Sequence, residues 1–299
     1  MSESRLKLTT YFGERQRSGD RFMADALFDL YTRHEVGTSI LLRGVEGFGA
    51  KHHLRSDVVL TLSEDLPLVS VAVDVPERIE GVLDEVHALE RHGLVTLERA
   101  RSGDGELHGE AKLTIYAARR DRIGEIVTLL RRHRIAGAIA LLGVDGTVDG
   151  VRRRAGLFTA NPDVPIMIVA VGAAERVAAA LPELRRWPTT LERVRICKLD
   201  GQVLARPGQD APLEKLMIYG AEHVELVRRL RRAGARGVTC VRGIWGYYGA
   251  QDPHGDRLLQ LRRRAPVVTV VVDTPEQIAR CFDVIDEGLV TSEALPNPF

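Results

Sequence analysis

The sequence lacks most of the features that announce a function. Its 299 residues hold three cysteines, Cys197, Cys240 and Cys281, odd in number, far apart and set among apolar neighbours. That pattern argues against a disulfide framework or a zinc site and fits a reducing compartment. Neither sign of charge is in excess, since 42 Lys and Arg face 41 Asp and Glu for a formal net charge of +1. No global field is therefore present to capture nucleic acid or an anionic membrane. The longest apolar run, VPIMIVAVGAA from Val164, is far shorter than the roughly 20 residues of a spanning helix, and MSESRLKLTT at the start has no apolar signal core. A cytoplasmic location is expected. No glycine-rich loop ends in Gly-Lys-Ser/Thr, and no serine or cysteine triad, paired-carboxylate pattern or zinc spacing appears. No catalytic residue, metal ligand or cofactor is assigned, and the chain is expected not to be an enzyme. His52 and His53 are adjacent, so on an extended strand they face opposite ways and make a poor metal pair.

What the sequence does have is repetition, the first thing to seek in a chain of this length. KLTTY ending at Tyr11, KLTIY ending at Tyr116 and KLMIY ending at Tyr219 alternate apolar and polar residues, as a half-buried strand does. A helical stripe follows each: Met23, Ala26, Leu27 and Leu30, then Ile123, Ile126, Val127 and Leu130, then Val224, Val227 and Leu230. SILLRG, AIALLG and VTCVRG come next, closing at Gly44, Gly143 and Gly243, and loops run from them to Pro67, Pro165 and Pro266. Apolar strands (LVSVAVD, IMIVAVG, VVTVVVD) and second helices follow, two of which open with proline at the first helical position. The third copy's second helix is expected to be about one turn shorter than the first copy's. GLVTLE, LERVRI and GLVTSE close the units.

Strand, helix, strand, strand, helix, strand is the ferredoxin-like (βαββαβ) order. The predicted fold is α+β, three tandem domains at 1–103, 111–199 and 213–299, with Gly- and Pro-rich linkers between them. Each four-stranded sheet has two helices on one face. The other faces are expected to be buried against one another in a single-chain pseudo-trimer, a monomer in solution.

LKLTTYFGE, SILLRGVEGFGA, LSEDLPLVSVAVD and HGLVTLE resemble the PII-like signalling protein family (domain of unknown function 190). The resemblance is strong over residues 5–98, good in the third unit and weak in the second. It implies adenine-nucleotide binding at loop bases and interdomain clefts, with the loop engaging a membrane transporter or channel. The glycine, aromatic, glycine of the loop base matches Gly47, Phe48 and Gly49. The middle unit departs from it, with Leu142 in place of Arg43 and Arg242, Thr147 in place of the aromatic, and Gly172 in place of Asp74 and Asp273. The clefts are therefore expected to be unequal.

The candidate ligand-binding residues are Arg43, Gly44, Gly47, Phe48, Gly49, Arg242, Gly243, Gly246, Tyr247 and Arg264. Glycines leaving a strand can offer successive N–H groups to an anion, or can be the exit turn the fold needs. The arginines can fork onto phosphate, or form an ion pair with Glu46, Asp74 or a neighbouring unit. Phe48 and Tyr247 can stack on adenine, or pack. The loops differ in charge: Ser63, Glu64 and Asp65 give way to Arg262, Arg263 and Arg264, and the middle loop carries Arg152 to Arg154. A solvated basic loop and a binding surface both fit. Three functions are consistent with these residues: a nucleotide-binding sensor, an adaptor with decayed pockets, and a cleft-based nucleotide hydrolase. In the first, Gly47→Val is expected to abolish binding without unfolding the chain.

Overall fold

The computed structural model describes residues 3–49, 55–56, 65–90, 93–102, 108–148, 150–154, 163–220, 222–255 and 266–296. The first repeat runs β1 (Glu3–Gly13), α1 (Met23–Arg33), β2 (Thr38–Arg43), β3 (Glu46–Phe48), β4 (Pro67–Asp74), α2 (Pro76–Leu89) and β5 (Leu94–Ser102). The second has β6 (Glu110–Ala118), α3 (Ile123–Arg132), β7 (Gly137–Val148), β8 (Val151–Arg154), β9 (Pro165–Ala173), α4 (Ala174–Leu184) and β10 (Thr189–Leu199). The third has β11 (Leu213–Gly220), α5 (Val224–Arg232), β12 (Val238–Tyr248), β13 (Val267–Asp273), α6 (Pro275–Asp283) and β14 (Leu289–Leu295). Among the described residues no helix is long and apolar enough to cross a membrane.

The helices form where apolar residues recur at three and four. Met23, Leu27 and Leu30 of α1 are buried, as are Ile126, Val127 and Leu130 of α3. Pro76 and Pro275 open α2 and α6, and the Thr274 hydroxyl accepts from the Gln277 amide to cap the latter. α6 has 9 residues against 14 in α2, a larger difference than the single turn expected.

In each repeat the first strand sits between the third and fourth main strands, and the second pairs with the third, all antiparallel. β1 pairs β4 and β5, and β4 pairs β2. β6 and β11 are flanked in the same way. One apolar core lies under the helices of each repeat. A fourth core draws on all three, with Val71, Val169 and Val268 among its members. The first strands are consequently not half-exposed as their alternation suggests. Lys7, Thr9, Lys112 and Lys215 are all buried, because their polar face turns into the shared interior.

Each repeat also lends a strand to another. β3 pairs with β12, setting Phe48 opposite Val238; β12 pairs with β7, setting Tyr247 opposite Ala138; and β7 pairs with β2, setting Thr147 opposite Ser39. The three contacts close a ring, repeat one on three, three on two, two on one.

Candidate functional site

Three places bring chemistry-bearing residues together: the loop bases, one cleft, and a buried cluster of charges. At the loop bases the glycines are held by backbone from another repeat. A Cβ on Gly47 would fall under 3.0 Å from the Val238 carbonyl, one on Gly146 equally close to that of Ser39, and one on Gly246 to that of Ala138. Gly44, Gly143 and Gly243 face the carbonyls of Pro67, Pro165 and Pro266, and Gly44 and Gly243 donate their N–H to them at 2.8 Å. Only a residue without a side chain permits such strand approach. A Cβ on Gly49 would meet nothing within 4 Å, and the residue is exposed.

The aromatics go inward. Phe48 is buried in the core of repeat three, beside Val238 and Leu226. Tyr247 enters the core of repeat two, donates to the Ile135 carbonyl at 3.1 Å and lies under the Arg131 guanidinium. Their counterpart Thr147 sits 3.0 Å from the Ser39 hydroxyl in repeat one. Repeat one has Phe28 and Tyr31 of its own at 5.5 Å, edge to face, in the core that Val144 joins.

Arg43 makes a two-pronged ion pair with Glu14, at 2.9 and 3.0 Å, a partner outside those expected. Arg242 is half-buried where β12 leaves β13. Arg264, with His52, His53, Ser63, Glu64, Arg262 and Arg263, lies outside the described residues. Arg152 is not a solvated charge: it holds Asp145 at 2.7 Å and Asp29 of α1 at 2.6 Å, tying the middle loop to repeat one.

The cleft lies between repeats one and two and has a volume of about 260 Å³. Arg5, Gly37, Thr38 and Asp74 line one side; Tyr116, Pro188 and Thr190 line the other. Asp74 accepts from the amides of Gly37 and Val75, both at 2.7 Å, and from Arg78 at 3.2 Å. Arg5 stands 3.8 Å from the same carboxylate, in looser contact. Burial raises the pKa of Tyr116, so the phenol stays protonated. The corresponding spaces elsewhere are filled differently. In repeat two Gly172 replaces Asp74, and Leu289 of repeat three packs against Gly137. Burial pushes the Cys197 and Cys240 thiols up to about 12 and Cys281 to about 11, so all three stay protonated.

The charge cluster lies where all three repeats meet. Lys7, Lys112 and Lys215 come from the first strands, Glu98, Glu192 and Glu293 from the last, and all six are buried. One oxygen of each carboxylate serves two ammoniums. Glu98 meets Lys7 at 2.7 Å and Lys215 at 2.6 Å; Glu192 meets Lys7 and, at 2.7 Å, Lys112; Glu293 meets Lys112 and, at 3.0 Å, Lys215. The result is a closed, alternating ring. Burial alone would raise the Glu98 carboxyl, but Lys215, Lys7 and Lys112 outweigh it and hold it well below the usual range. Glu293 is lowered in the same way, burial being outweighed by Lys112 and Lys215. Lys112 is driven well above its ordinary value against burial by Glu192, Glu293 and Glu98, whereas in Lys215 burial prevails and the value falls. The signal for this ring was in the repeats: a lysine inside every KLxxY strand and a glutamate in every closing strand, the diverged one included.

The family DUF190, described as "Uncharacterized ACR", matches residues 5–102, 110–196 and 219–296. The chain belongs to the DUF190 family. Its three matches fall one per repeat, the weakened middle repeat included. A UPF0166 protein of Aquifex aeolicus is 35% identical over 71 residues, 23% of this chain and 68% of the relative. Among solved structures, a candidate glycine cleavage system transcriptional repressor is 13% identical, with a TM-score of 0.21 over 64% of this chain and 97% of its own. Aspartate kinase from Synechocystis is 11% identical, with a TM-score of 0.27 over 99% of this chain and 52% of its own. Likenesses that slight carry no weight for the fold or function of this DUF190 protein.

Proposed function

We propose that the three DUF190 repeats are ferredoxin-like, PII-like units closed into a single-chain pseudo-trimer, which senses an anionic small molecule, an adenine nucleotide by preference, without turning it over. The cleft between repeats one and two carries this reading. It joins two repeats, is large enough for part of a nucleotide, and is lined by Arg5, whose guanidinium pairs with the exposed Glu3 at 2.6 Å and stands 3.8 Å from Asp74, a carboxylate already satisfied by two amides and Arg78. An anion entering there gains a fork-shaped donor by displacing the exposed Glu3, whose pair contributes little in solvent. Occupancy would be passed on by the loops to a partner, a membrane transporter or channel, provided the ligand favours one loop state over another.

The test is thermal unfolding with ATP, ADP, AMP and cyclic nucleotides, with and without magnesium, on the wild type and on Arg5→Ala. Ligand at about 100 times its dissociation constant stabilises by roughly 2.7 kcal/mol, a few degrees for a chain of this size. A shift lost in Arg5→Ala supports the reading, and no shift with any nucleotide overturns it. Phosphate release at the same concentrations is expected to stay at the buffer rate.

A second reading, an adaptor without ligand, is favoured by a separate observation. Gly47, Gly246, Phe48 and Tyr247 are all taken up by contacts between repeats. If the nucleotide screen is flat, the loops are a protein-binding surface.

A further inference from the structure

We infer that the buried Lys–Glu ring is a charge-balanced lock that couples the three repeats into one cooperative unit. Each repeat supplies one lysine and one glutamate that pair within it, and the ring closes because each carboxylate also takes an ammonium from a neighbour. Each carboxylate oxygen is shared between ammoniums of two repeats, so Glu98 binds repeat one to three, Glu192 two to one, and Glu293 three to two. Removing any repeat would take one of two partners from a lysine and a glutamate of the other two, weakening buried pairs whose desolvation has already been incurred. The three carboxylates come within 4.8 Å of one another, the spacing of a cation site. Three ammoniums already occupy the gaps and cancel the charge, so the cluster closes on itself. Tyr11, Tyr116 and Tyr219 are the titratable groups that face it, and all three have raised pKa values, burial being the first cause, so they stay neutral. The inference concerns how the repeats hold together and stands whether or not the cleft binds a ligand.

The lock predicts opposite pH responses from opposite corners. Lys112→Met leaves three carboxylates facing two ammoniums; Glu192 and Glu293 keep one partner each, the buried cluster carries a surplus negative charge, and taking up a proton relieves the penalty. Its melting temperature should fall several degrees below wild type at about pH 8, and the gap should shrink by about pH 5. Glu293→Gln leaves a surplus ammonium, and its deficit should shrink as pH is raised instead. Lys112→Met with Glu293→Gln restores equal numbers and should melt higher than the sum of the two deficits allows. If one single variant yields no folded protein, the other and the double variant still carry the comparison.

Cooperativity has its own readout, since Trp187 and Trp245 both pack against the core of repeat two while all three repeats contribute to the far-UV circular dichroism. The urea transitions followed by tryptophan fluorescence and by far-UV circular dichroism should coincide with the ring intact and separate in whichever single variant folds. Deficits that do not change with pH, or that change in the same direction, would reduce the ring to packing. Transitions that stay coincident would remove the coupling.

Discussion

The centre of the molecule and its rim treat the same repetition in opposite ways. At the centre, lysine and glutamate recur without exception in all three repeats. At the rim, matched positions hold Phe48, Thr147 and Tyr247, or Glu46, Asp145 and Trp245. The difference follows from how many neighbours a change must satisfy. A ring residue pairs with one partner in its own repeat and one in a neighbour, so a substitution needs two simultaneous compensations. A rim residue faces one, and one compensation is enough: Thr147 is small where repeat one supplies Phe28 and Tyr31 itself, and Arg152 gives Asp145 a partner that Glu46 does not share. The exception at the rim is glycine. Gly47, Gly146 and Gly246 are kept because each lies against a neighbour's backbone, which cannot be mutated away.

The largest break in this comparison is a side chain at those glycines. Gly47→Val, Gly146→Val and Gly246→Val should each destabilise by roughly 3 kcal/mol, or prevent folding, by overpacking against backbone. Denaturant midpoints would measure it. A folded Gly47→Val of unchanged stability would restore the expectation from sequence, that valine there removes ligand rather than structure.

That reversal shows what the sequence could carry. The repeat and the element order were legible because they rest on local periodicity and on Pro and Gly. The glycines were legible as positions but not as roles, since the carbonyl opposite Gly47 belongs to Val238, nearly two hundred residues away. The lysines stood in plain view in KLTTY, KLTIY and KLMIY, yet alternation made them read as the polar face of a half-buried strand. Only the meeting of three sheets turns that face inward.

Next in size is the rim aromatic. Tyr247→Ala removes a ring from the core of repeat two together with its bond to Ile135 and the Arg131 contact, and should cost about 3–4 kcal/mol. Thr147→Ala, at the matched position, loses a hydroxyl bonded to Ser39 and should cost about 1 kcal/mol. Equal losses would mean that the three sockets are not different solutions to one problem.

Acid should probe the centre before the rim. The Glu98 and Glu293 carboxyls are lowered on folding, so their contribution is fully present above the ordinary carboxylate value of 4.5 and is lost as pH falls through the lowered values. Stability should therefore decline below about pH 4.5. Replacing Lys112 and Glu293 together should flatten that decline, whereas Tyr247→Ala should leave its shape unchanged. A decline just as steep in the double variant would place the acid-sensitive groups elsewhere.

The smallest effect is expected at Arg43, the residue that most suggested phosphate in the sequence. Its pair with Glu14 is exposed on both sides, and exposed pairs contribute about 0–1 kcal/mol because solvent screens them and two long side chains must be held still. Arg43→Ala should shift the denaturant midpoint barely beyond error, and a nucleotide-induced thermal shift should survive it. Arg5→Ala should be equally mild for stability but should remove the shift, because Arg5 lines the cleft whereas Arg43 pairs with Glu14 away from it. If Arg43→Ala instead abolishes the shift while Arg5→Ala keeps it, the ligand breaks the Glu14 pair to reach the loop base, and the sensing site belongs to the rim.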